Sequence, residues 1–129
     1  PRPQSPPPVW LTVPDSVFVF VFYSKSTALL PESERNFSAL LQQIKQQLGS
    51  KPGLQVTVEG HSSNEGSRIE NLRLAVNRAS SIAAQIRLKA GLQDTAVKWN
   101  AYGTLRPAFN ELIPSERMKN RRVEVLIRW

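Results

Sequence analysis

One run of four residues, 60-GHSS-63, places the only histidine of the chain beside two hydroxyls. Acyl or proton transfer would have to start here, because a serine nucleophile needs an imidazole base held by a third group. The spacing argues against it. Neighbours on an extended segment point to opposite sides, so His61 and the serines directly after it make a poor base–nucleophile pair. The chain has no G-x-S-x-G elbow, no phosphate-binding glycine loop and no H-E-x-x-H pair. A lone histidine offers one metal ligand of the usual kind. With no cysteine, thiolate chemistry, disulfides and cysteine-based metal sites are excluded. We expect no catalytic residue, no metal and no cofactor.

What remains is a spaced polar set. Gly60 to Ser63 closes a strand, Gly66 and Ser67 open a helix, and Asn71, Leu74 and Arg78 follow along it. Steps of three and four put those last three on one helix face. Near the end of the chain stands 120-NRRVE-124. The set reads in two ways: as a ligand pocket at a strand–helix junction, or as a capped helix with Asn71 and Arg78 on a solvated face.

The elements that must position these residues follow from hydrophobic periodicity. A first strand spans about Ser16 to Phe22, apolar on both faces as a covered central strand would be. Next, 31-PESERNFSALLQQIKQQLGS-50 reads as a helix. Pro31 suits its first turn, Glu32 and Glu34 its positive end, and Gly49 its stop. Phe37, Leu40, Leu41, Ile44 and Leu48 share one of its faces. In 54-LQVTVEG-60, Leu54, Val56 and Val58 alternate with polar residues, as in a half-buried strand. A second helix runs from about Ser67 to Ala90 with a stripe of Leu72, Ala75, Ala79, Ile82, Ala83 and Ile86, and Gly91 ends it. Strands near residues 95–103 and 120–129 flank a polar loop over 104–117. Strands alternating with helices and closing on adjacent strands predict an α+β fold with a mixed sheet.

Composition bounds the rest. The 129 residues suit one domain, 40% hydrophobic and 21% charged. No apolar run reaches the roughly 20 residues needed to span a bilayer. Five of the ten prolines fall in 1-PRPQSPPPVW-10, so residues 1–15 read as a semi-rigid linker before a domain over 16–129. A net charge of +7 favours an anionic partner. Nucleic acid is not expected: no recognition signature accompanies the charge, and Phe18, Phe20 and Phe22 share one strand face where core packing explains them.

The ordered motifs 60-GHSS-63, Gly66, 71-NLRLAVNRA-79, 101-AYGTLRP-107 and 120-NRRVE-124 resemble the OmpA-like C-terminal domain found in OmpA, Pal and MotB-type proteins. The likeness covers about residues 17–128. It implies a βαβαββ sandwich, a mixed four-stranded sheet packed with two main helices. It also implies a non-catalytic module that holds peptidoglycan through the diaminopimelate of the stem peptide. In the family, an aspartate in G-H-T-D pairs with the ligand's ammonium, and an arginine in N-x-x-L-S-x-x-R-A pairs with its carboxylate. Arg78 matches the arginine, Ser62 stands at the threonine, and Ser63 stands where the aspartate belongs. Ala75 replaces the helix serine. The expected ligand-binding residues are thus Ser62, Ser63, Glu65, Asn71, Leu74, Arg78 and Arg121, with Glu65 near enough to lend the missing carboxylate. The resemblance places the domain in the periplasm of a Gram-negative envelope, tethered to the outer membrane by an anchor outside this chain. The second expectation is a structural or interaction domain in a secretion-system or motor complex, with weakened wall binding and other envelope proteins as partners.

Overall fold

In the computed structural model residues 16–129 are described, and the proline-rich linker expected over 1–15 lies outside the described residues. Four strands form one sheet: β1 (Ser16–Val21), β2 (Gln55–His61), β3 (Val97–Gly103) and β4 (Arg122–Arg128), in the order β1–β4–β2–β3. β2 and β3 run parallel, and β4 is antiparallel to both its neighbours, so the sheet is mixed as expected. Alternation fixes the buried face. Phe20, Val56, Val58, Val123, Val125 and Ile127 are each at most 1% exposed. Helices α1 (Pro31–Gln47) and α2 (Arg68–Ala90) complete the core with Phe37, Leu40, Leu41 and Ile44, and with Ala79, Ile82, Ala83 and Ile86. Burying a residue such as Phe20 contributes about 1.5–3 kcal/mol. Its ring meets Phe37 edge-on at 5.3 Å.

The sheet corrects one expectation about β1. It is an edge strand paired only with β4, and Val17 and Val19 are 50% and 48% exposed. The helices' core takes the phenylalanines of the alternating run and leaves these valines outside it. Its edge is tied to α1 instead, where the Ser33 hydroxyl accepts from the Val21 amide at 2.8 Å.

Helix boundaries follow capping. α2 starts with a reciprocal cap: the Ser67 hydroxyl accepts from the Glu70 amide, and the Glu70 carboxylate accepts from the Ser67 amide. It ends at Gly91, left-handed at φ 76°. Gly49 does not play that role for α1. Leu48 caps the helix in helical geometry, and Ser50 and Lys51 donate to the Gln47 carbonyl, so no left-handed residue is needed. Leu72 is 47% exposed and drops out of the α2 stripe. The buried face of α2 starts instead with Asn71, at 4%, and includes Arg78, at 0%, so neither is a solvated surface residue. The expected loop over 104–117 contains a helical turn, α3 (Pro114–Arg117), and a 3-10 turn follows at Met118–Asn120. β4 therefore begins at Arg122 rather than at Asn120.

Gly60 sets how closely α2 lies on β2. A Cβ there would stand 2.2 Å from the Ala75 carbonyl oxygen and 2.8 Å from the Ala79 Cβ. This close approach brings the end of β2 against the helix that carries Asn71 and Arg78. Among the described residues, no helix is long and apolar enough to cross a membrane.

Candidate functional site

Where β2 ends, the turn over residues 62–66, the first turns of α2, the β1–α1 loop and Arg121 enclose a small cavity. All seven expected residues line it: Ser62, Ser63, Glu65, Asn71, Leu74, Arg78 and Arg121. Lys25, Gly66 and Glu70 join them. The space is about 20 Å³, room for roughly one water.

Arg78 is fully buried and heavily engaged. Its Nε donates to the Ser26 carbonyl at 2.9 Å, Nη1 to the His61 carbonyl at 3.1 Å and Nη2 to the Tyr23 carbonyl at 3.1 Å. The guanidinium also lies 5.1 Å from the Phe22 ring centre. Burial pulls it down to about 10; Arg121's charge adds to the drop and Glu65 opposes it. It stays protonated at neutral pH. Three of a guanidinium's five N–H groups are thus spent clamping the β1–α1 loop to the end of β2, which leaves two outside that clamp.

Two carboxylates line the cavity: Glu70 is engaged in capping the Ser67 amide, and Glu65 is the one held against the arginines. Its carboxylate accepts from the Ser24 hydroxyl at 2.6 Å and from Arg121 Nη1 at 2.7 Å, with Arg117 Nε at 3.7 Å. Desolvation pushes the Glu65 carboxyl up, but the Ser24 and Ser63 hydroxyls and the Arg121 charge outweigh it and hold the group below its usual value. Arg121 is fixed further by its Nε, which donates to the Phe22 carbonyl at 3.2 Å. Ser62 and Asn71 form the frame. The Ser62 hydroxyl donates to the Asn71 carbonyl at 2.9 Å, and Asn71 Nδ2 donates to the Gly66 carbonyl at 3.1 Å. Chemically, the Arg78 and Arg121 guanidinia, the Glu65 carboxylate and a buried serine hydroxyl can meet a zwitterion, carboxylate to guanidinium and ammonium to Glu65.

The sequence does not reveal Ser24, Lys25 or Arg117 at this site. They lie on loops, where no periodicity tells which side chain turns inward. Lys25 sits at φ 53°, an uncommon backbone for a non-glycine residue, at the tip of that loop. The one available signal for Arg117 was the basic run 117-RMKNRR-122.

His61 points elsewhere. Its carbonyl holds Arg78, but Gly60 faces α2, so Glu59 and His61 flank it on the opposite side of the sheet. The ring is 2% exposed and stacks on Tyr102 at 5.5 Å. Burial drives its pKa down to about 4, helped by Arg122 and opposed by Glu124. Neither ring nitrogen has a hydrogen-bond partner among the described residues, an arrangement that costs about 1–3 kcal/mol per orphaned group.

Comparison with known proteins matches the chain to a family. The peptidoglycan-binding protein ArfA of Mycobacterium tuberculosis is 30% identical over 88 residues, 68% of this chain and 27% of its own length. The peptidoglycan-associated lipoprotein of Legionella pneumophila is 34% identical over 79 residues, 61% of this chain and 44% of its own. The chain thus spans less than half the length of these curated relatives. Among solved structures, the peptidoglycan-associated lipoprotein of Burkholderia pseudomallei aligns with a TM-score of 0.73 at 24% identity, covering 85% of this chain and 89% of that one. The cell wall anchor of the T6SS from Pseudomonas aeruginosa aligns at 0.66 and 24%, covering 88% and 80%. These two likenesses establish the fold alone. A family model described as the OmpA family matches residues 21–121. The chain belongs to the OmpA family.

Proposed function

We propose that this domain anchors an envelope protein to peptidoglycan by gripping the zwitterionic end of the diaminopimelate stem peptide. The observation that carries the reading is the meeting of Arg78, Arg121, Glu65 and Ser63 on one cavity. The free N–H groups of Arg78, with Arg121, take the ligand's carboxylate. Glu65 supplies the negative charge that Ser63 lacks and takes the ammonium, with the Ser63 hydroxyl beside it. A carboxylate offers about four lone-pair sites, so Glu65 keeps acceptor capacity beyond Ser24 and Arg121. Because the cavity is small, the ligand needs the exposed Lys25 side chain to turn outward, while Glu65 stays in place to receive the ammonium. No step of this is catalytic. Relatives named as peptidoglycan-binding and peptidoglycan-associated support the assignment to peptidoglycan. The proposal extends to a periplasmic location, with residues 1–15 as tether to an outer-membrane anchor outside this chain.

The second reading is a structural or interaction domain inside a secretion-system or motor complex, with wall binding weakened. The closed Glu65–Arg121 ion pair favours it, because an internal carboxylate already occupies one guanidinium. Sedimentation with insoluble diaminopimelate-type peptidoglycan separates the two. Under the anchor reading the wild-type domain sediments, free diaminopimelate releases it, and Arg121→Ala weakens it by about tenfold to a hundredfold, the loss of one charge-assisted pair. Wild type that stays in the supernatant, with binding gained by Ser63→Asp, establishes the second reading.

A further inference from the structure

The sheet face turned away from the helices carries a cluster that the cavity does not use. Glu59 on β2 and Glu124 on β4 are directly paired across the antiparallel ladder. Like charges in that position repel, and Arg122, 2.7 Å from Glu124 Oε2, offsets only one of the two. His61 follows two residues after Glu59 on the same face. A ligand atom from each of Glu59, His61 and Glu124 lies within 4.8 Å of the other two. The imidazole is 2% exposed and both its nitrogens lack a partner among the described residues, with Nε2 3.7 Å from Glu124 Oε2. A buried, orphaned polar group of this kind points to a missing ligand such as an ion or a water.

We propose that Glu59, His61 and Glu124 form a site for a divalent transition metal of the zinc class, with one coordination position open to solvent. One imidazole and two carboxylates supply the three nitrogen and oxygen donors that a zinc site with an open position uses, and nitrogen–oxygen sites also suit manganese, iron or nickel. Calcium asks for six to eight oxygens and fits poorly. Bonds of about 2.0–2.2 Å hold tetrahedral ligands ~3.3 Å apart, so the cluster needs to contract by an ångström or so. The two glutamates are half-buried and provide both the movement and the entry path.

Outer partners already orient both carboxylates. The Tyr102 hydroxyl donates to Glu59 Oε2 at 3.0 Å, and Arg122 Nε donates to Glu124 Oε2 at 2.7 Å. In Glu124 the oxygen nearest His61 is the Oε2 that Arg122 holds, so this carboxylate shares that oxygen or turns its other one inward to bind the metal. The charges facing the cluster are Arg122, bonded to Glu124, and Arg106, held 3.8 Å over the Tyr102 ring. Two carboxylates against Arg122 leave the cluster one negative charge in excess, and Arg106 offsets it from beyond Tyr102.

His61 is the sole histidine, so its ring protons report on a single residue. The test uses the untagged 129-residue chain, stripped of metal by chelator and titrated with Zn²⁺ by calorimetry while the His61 ring signals are followed by NMR. One saturable site is expected, with the His61 signals shifting in step. Glu59→Gln and Glu124→Gln are each expected to weaken Zn²⁺ by at least the roughly tenfold that follows loss of a ligand's supporting partner, with unchanged metal-free circular dichroism. No saturable binding, His61 signals that do not move, or an affinity equal to wild type in both glutamine variants would overturn the site.

Discussion

Arg78 clamps a loop to the end of β2, and the anchor reading gives it ligand binding as well, so a substitution there changes both. Removing it leaves the carbonyls of Tyr23, Ser26 and His61 without their donor. Hydrogen bonds to charged groups contribute about 1.5–3 kcal/mol each and do not simply add, so Arg78→Ala is expected to destabilise the domain by about 3 kcal/mol or more in urea unfolding. Loss of ligand binding in that variant therefore says little about the cavity, and Arg121 and Glu65 are the better probes. Glu65 also gives a pH signature. Its carboxyl is held below the ordinary 4.5, so the folded state releases its proton more readily than the unfolded chain. The contribution is fully present above the unfolded value and fades as pH falls through the folded one. Wild type is thus expected to exceed Glu65→Gln in stability by a constant margin at neutral pH, and the margin should shrink below about pH 4.5 in parallel melts. At this scale the sequence exposes the serine in place of an aspartate and the nearby Glu65. It hides the Glu65–Arg121 pair, because those residues are brought together only by tertiary folding. It also hides the burial of Arg78, because helical spacing says which residues share a face and not where the face points.

Elements hold the cavity through two contacts that differ in kind. The first is the glycine–alanine seam between β2 and α2. Gly60→Ala forces a methyl against the Ala75 carbonyl, and such overpacking costs about 1–3 kcal/mol. Urea titration should show that loss, together with weaker ligand binding as α2 is pushed away. The second is Asn120, 1% exposed, which accepts from the amides of Ala108 and Phe109 and donates to the Phe109 carbonyl and to Glu111. Asn120→Ala is expected to release the loop before β4, read as faster amide exchange at Ala108 and Phe109 and a loss of about 1–3 kcal/mol. The strands and helices themselves were legible, because period 2 and period 3.6 separate cleanly in 54-LQVTVEG-60 and in α1. β1 was misread as central. Valine and phenylalanine alternate there, both are apolar, and hydropathy cannot distinguish a core face of aromatics from an outer face of valines. Gly49 misled for a related reason: a glycine after a helix marks a permitted left-handed residue, not one the chain must use.

Across the whole molecule, the ordered motifs over about residues 17–128 made the fold readable, and the family match over 21–121 agrees. The charge of +7 was readable too, yet it supports two quite different kinds of wall binding. A basic domain can adhere to an anionic polymer with no pocket at all, and such adhesion releases steeply with salt. A built pocket depends on its own anion. Glu65→Gln distinguishes the two, because it keeps the side-chain shape, removes one negative charge and takes the net charge from +7 to +8. Sedimentation of this variant with diaminopimelate-type peptidoglycan at physiological salt is the most direct measurement. The pocket account predicts binding weaker by about tenfold to a hundredfold, despite the more positive surface. Binding equal to or tighter than wild type would contradict it.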